Sequence, residues 1–252
     1  MLHTVFSTLL GIHVFLGGIA LTSFWIPIFA RKRRGNHTRY GKIFAYAMMA
    51  TAASAGIVSC MTLLAPAATH PEVPPSGITG LRIVGGLMLG YLAAITFVSA
   101  YSGLRAVRLR GDHSGHRAPG EIIANVVALG LAVATLVVGI RYEVTLMIAL
   151  SIFGLAGIPG NFRFIFKQPK TRQEWLFQHI GSMLGAGIAA HTAFLVFGLR
   201  NIAPALANEP LAWLAPAMLG VPASVIWQRH YRKKFAARAV GQPVRTGQLA
   251  AD

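Results

Sequence analysis

Apolar residues neither alternate along this chain nor mark one side of each helix. They fill whole stretches of about 20 residues, separated by short polar connections. A bilayer core of about 30 Å needs roughly 20 apolar residues per helix. Seven such stretches are read, near residues 4–30, 40–66, 82–104, 122–140, 144–166, 175–198 and 211–228. The pattern predicts an all-α fold, a polytopic membrane helix bundle of about seven transmembrane helices. Residues 1–235 form a single seven-helix transmembrane domain, and 236–252 a short basic cytoplasmic tail. The first stretch is read as a span and not a cleaved leader, because it is long and its charges follow it rather than precede it.

Composition agrees with the pattern. Of 252 residues, 54% are hydrophobic and 12% charged, where a soluble domain carries roughly a quarter charged. A single cysteine, Cys60, excludes an internal disulfide.

The net charge of +16 would suggest nucleic acid in a soluble protein. Here the cations lie in blocks between spans, so no nucleic-acid role is read. Arg31, Lys32, Arg33, Arg34, Arg39 and Lys42 form one block. Arg105, Arg108, Arg110 and Arg117 form a second, and Arg163, Lys167, Lys170 and Arg172 a third. The last holds Arg229, Arg232, Lys233, Lys234, Arg238 and Arg245. With seven spans these 20 of the 23 cations share one side, leaving Arg82, Arg141 and Arg200 on the other. Basic loops stay in the cytoplasm, so the expected orientation is N-terminus outside and C-terminus cytoplasmic, in a bacterial inner membrane. The run RKRRGNHTRYGK is then a topology anchor that also meets anionic lipid at the cytoplasmic face.

Small residues let membrane helices approach closely. Gly86 and Gly90 form a GxxxG in the third span, and Gly181, Gly185 and Ala189 repeat the device in the sixth. Pro27, Pro216 and Pro222 are expected to kink their helices. The connection at 141–143 predicts a tight hairpin of spans four and five. No internal repeat suggests a two-fold transporter.

All seven acids, Glu72, Asp112, Glu121, Glu143, Glu174, Glu209 and Asp252, are placed in loops, tails or helix ends. Without intramembrane carboxylates, a proton- or sodium-driven pump is disfavoured. No lysine lies mid-span to form a retinal Schiff base. GxSxG and HExxH are absent.

Histidines are the remaining chemistry. Of nine, His13 and His191 lie well inside spans, about 13 and 10 Å from their outer ends at 1.5 Å per residue. Two imidazoles at matched depth suit the axial positions of haem b. Arg82, Arg141 and Arg200 would hold the propionates, and Tyr91 would orient an imidazole. His37 and His179 make a weaker inner pair. A second haem is disfavoured because His179 and His191 differ by about 120° around one helix. The competing reading gives these histidines a backbone hydrogen bond, or a place on a transport path. His113 and His116 form HxxH in the loop GDHSGHRAPG; a metal site there lacks further ligands, since only Asp112 is near, so they are read as solvated.

Three strings carry a family resemblance: HTRYG at 37–41, WLFQHIGSMLGAGIAAHTAFLVFG at 175–198 and APAMLGVPASVIWQRHYRKKF at 215–235. They resemble a bacterial multi-pass family of unknown function (DUF2306-like). The resemblance covers the first two and last two spans. It implies a small inner-membrane protein and brings no activity with it. The leading expectation is therefore a b-type haem electron-transfer protein or membrane oxidoreductase subunit, with a redox partner or quinone. The alternatives are a carrier or channel for a neutral or anionic small molecule, and a non-catalytic scaffold or accessory subunit.

Overall fold

The computed structural model describes residues 1–29, 35–110, 112–169, 171, 173–200, 203–207 and 209–240. The anchors Arg31 to Arg34, Lys170, Arg172 and Arg245 lie outside the described residues.

Among the described residues there are seven long helices, each long and apolar enough to cross a membrane. They are α1 (Leu2–Phe29), α2 (Asn36–Leu64), α3 (Pro75–Arg108), α4 (Pro119–Arg141), α5 (Thr145–Phe166), α6 (Glu174–Leu199) and α7 (Pro210–Val240). No strand occurs among the described residues. The chain is a multi-pass membrane protein.

Two boundaries differ from expectation. The third helix starts seven residues earlier, through a 3-10 turn at Pro75–Gly77. The last continues to Val240, because an alanine-rich basic stretch is a good helix former whether or not lipid surrounds it. Pro159 joins Pro27, Pro216 and Pro222 inside helices.

Within α3, Arg82–Met88 is π-helical. Such segments are rare and short. This one contains Gly85 and Gly86. A Cβ on Gly86 would lie 2.9 Å from Leu63, and one on Gly90 would lie 3.4 Å from Ser59. The GxxxG therefore seats α3 on α2. In α6 the tightest approach is at Gly187, outside the expected motif, where a Cβ would run into the Phe24 ring.

The third helix is the centre, packed on α2, α4 and α6; α1 leans on α2, α5 pairs with α4, and α7 covers α6. The α4–α5 hairpin closes through Val144 N–H to Gly139 O, with Glu143 in the left-handed region at φ 56°. The interior is built from small side chains such as Ala20, Ala100, Ala132 and Ala186, all fully buried. Large apolar side chains such as Val14, Phe15, Phe194 and Leu219 point outward, as expected where lipid replaces water.

Candidate functional site

Five imidazoles share one tautomer. A carbonyl oxygen only accepts, so an imidazole nitrogen touching one carries the proton. The Nδ1 of His3 donates to Thr69 O at 2.8 Å, His13 to Thr51 O at 2.9 Å and His37 to Pro27 O at 2.9 Å. His179 donates to Gly103 O at 2.9 Å and His191 to Gly187 O at 2.7 Å. In a neutral ring a proton on Nδ1 leaves the lone pair on Nε2, the arrangement that metal-binding histidines use.

The two pairs read from the sequence fare differently. His37, at the start of α2, and His179, one turn into α6, have ring centroids 6.5 Å apart with planes at 67°. A metal–imidazole bond is about 2 Å, so two imidazoles on one metal hold their centres about 6 Å apart. The inner pair is near that separation.

The outer pair is not brought together. His191 packs edge-on against Phe24 and Trp25 of α1, at 5.1 and 5.2 Å. Those residues are eleven and twelve positions beyond His13, about 17 Å along the helix. Equal depth from the helix ends was the wrong measure, because α6 crosses α1 near the latter's other end. His13 instead faces α2, beside Thr51 and Ser54. The rotation between His179 and His191 appears as different neighbours, α2 and α3 for one, α1 for the other.

Tyr91 orients no imidazole. It is fully buried, donates to Leu150 O at 2.9 Å and accepts from Gly154 N–H at 3.0 Å. Its hydroxyl thus sits inside the backbone ladder of α5. Gly154 allows this, since a Cβ there would lie 2.7 Å from the tyrosine oxygen. The rim arginines Arg82, Arg141 and Arg200 are exposed. Arg141 lies over the Tyr142 ring at 5.8 Å. The ion pairs among the described residues are Arg105–Glu121 and His116–Glu121, so no rim arginine pairs with Glu72, Glu143 or Glu209.

One polar assembly escaped the sequence reading. Asn161 Nδ2 donates to Asn125 Oδ1 at 3.0 Å, and Gln178 Nε2 donates to Asn161 Oδ1 at 2.8 Å and Ser182 Oγ at 3.1 Å. Asn125 Nδ2 donates to Glu121 O at 2.9 Å. This chain of amides ties α4, α5 and α6 together. The available signal was amides inside apolar spans, whereas acids, lysines and histidines drew the attention. Asn161, Gln178 and Ser182 also line a cavity of about 2250 Å³. It is largely apolar. His3, His13, His70 and Arg200 line it too, as do Arg163, Lys167 and Arg232.

The loop between α3 and α4 was read as solvated, and this needs correction. His116 and Glu121 are each 1% exposed. Arg105 Nε donates to Glu121 Oε2 at 2.6 Å, and His116 Nδ1 lies 3.1 Å from the same oxygen. Asp112 is exposed and caps the turn. The Ser114 hydroxyl, then the Gly115 N–H, hold its carboxyl below the usual range.

These features define a class: a polytopic helix bundle with five histidines held by backbone carbonyls and a largely apolar cavity between its helices. Known protein families, curated proteins and solved structures gave no match.

Proposed function

We propose that this chain is a b-type haem protein of a bacterial inner membrane, serving as an electron-transfer protein or oxidoreductase subunit, with His37 and His179 as axial ligands. One observation carries the reading: two imidazoles from different helices lie with centroids 6.5 Å apart, each held by its Nδ1–H on a backbone carbonyl. That bond fixes the ring angle and directs the Nε2 lone pair away from the holding helix. Bound there, haem b supplies one-electron transfer. The chain's own contribution is to hold the two rings on backbone carbonyls. A redox partner or membrane quinone completes such a function. Segregation of the cations supports a cytoplasmic position for this end of the bundle, against anionic lipid.

The test is a visible spectrum of protein expressed with ample haem. The expected result is a sharp Soret band that shifts on reduction. His37→Ala and His179→Ala should each abolish or alter the band, while His13→Ala and His191→Ala leave it. Colourless wild-type protein overturns the reading.

The cavity favours a second reading, a carrier for a neutral or anionic small molecule. Arg163, Lys167 and Arg232 would attract an anion, and the amides of Asn161 and Gln178 would bind a polar group. Against it, the described spans are not broken at their midpoints, where carriers open their helices around a substrate.

A further inference from the structure

His113 and His116 stand outside the proposed haem site, in the loop joining α3 to α4. Ser114–Arg117 is a 3-10 turn, closed in front by His116 N–H to His113 O at 3.2 Å. Residues three apart in such a turn eclipse, so both imidazoles project from one side. Their centroids are 5.9 Å apart. Both rings rest edge-on against Phe164 of α5, at 5.3 and 4.8 Å.

The two Nε2 atoms are buried and have no hydrogen-bond partner. An unsatisfied buried polar atom costs about 1–3 kcal/mol, and here two occur on rings whose centroids are 5.9 Å apart. Glu121, anchored by Arg105, takes the Nδ1 proton of His116. A carboxylate on Nδ1 leaves Nε2 as a basic, oriented donor, the support that metal-binding histidines receive. Rings bound to one ion through nitrogens about 2 Å away have centres about 5–6 Å apart.

We infer that His113 and His116 form a two-imidazole site for a divalent transition-metal ion of the zinc type, with Glu121 and Arg105 positioning His116. No third His, Cys, Asp or Glu completes a cluster among the described residues, and Asp112 is committed to the turn. Water would take the remaining positions. Imidazole donors select zinc, cobalt, nickel or copper over calcium or magnesium.

The experiment is zinc binding by the full chain in detergent, purified without a polyhistidine tag, read by competition with a chromophoric chelator. Cobalt absorption serves as the second probe. The expected result is saturable binding of one ion per chain. His113→Ala should abolish it while leaving the buried His116–Glu121 pair and the melting temperature in place. Glu121→Gln should weaken it about tenfold. His37→Ala and His179→Ala should leave it unchanged, so failure here and failure of the haem reading are separable. Folded wild-type protein that takes up no zinc overturns the inference. So does binding undiminished in His113→Ala, or lost in His37→Ala.

Discussion

Tyr91 shows how one hydroxyl can enter a neighbouring helix. Leu150 O and Gly154 N–H are an i, i+4 pair, and an uninterrupted helix would join them directly. Here α5 is helical throughout, and the tyrosine oxygen adds a contact to both groups. Tyr91→Phe therefore does not strand these groups, because α5 can close its own bond. Its expected cost is under about 1 kcal/mol. Gly154→Ala has no such relief. Its methyl would lie 2.7 Å from the tyrosine oxygen and 3.0 Å from Ala132 Cβ, so overpacking of about 1–3 kcal/mol follows. Thermal unfolding in detergent should rank the variants in that order. Adding Tyr91→Phe should lessen the cost of Gly154→Ala, since the two share one contact. The reverse ranking would mean that the hydroxyl bridge holds α3 to α5 more strongly than proposed.

Among the helices, existence was easier to read than partnership. Seven apolar stretches gave seven helices, because length and hydropathy alone decide whether a segment can cross a bilayer. Which helix each histidine faces depends on crossing angles, and linear depth does not encode them. His13 and His191 lie at similar distances from their own helix ends, yet one faces α2 and the other the far part of α1. His116 was misread for a related reason: a glycine-rich loop with few apolar residues looks solvated, but Glu121 in the first turn of α4 draws it inward. The amide chain gives a test at this scale. Asn161→Leu removes the bonds to Asn125 and Gln178. Interhelical bonds in membranes average about 0.6 kcal/mol, so a loss of about 1 kcal/mol is expected in an SDS unfolding titration. A variant as stable as wild type would show that the amides do not tie these helices together.

At the scale of the whole molecule, the odd number of spans and the unequal cations make one prediction. A reporter fused after Asp252 should read cytoplasmic, and one inserted in the 70–80 connection external. The 20-to-3 division of basic residues is the reason. An external signal from the C-terminal fusion would overturn the orientation, and with it the placement of His37 and His179 on the cytoplasmic side.

The π-helical stretch Arg82–Met88 has a consequence for descent. Its wider ring takes up one more residue than an α-turn, and both flanks of α3 remain helical. A single deletion within 82–88 can thus be absorbed as a change of winding, with the residues beyond it keeping their neighbours. When related chains are aligned, a one-residue gap inside this span is physically permissible, although within an ordinary membrane helix it would signal a misalignment.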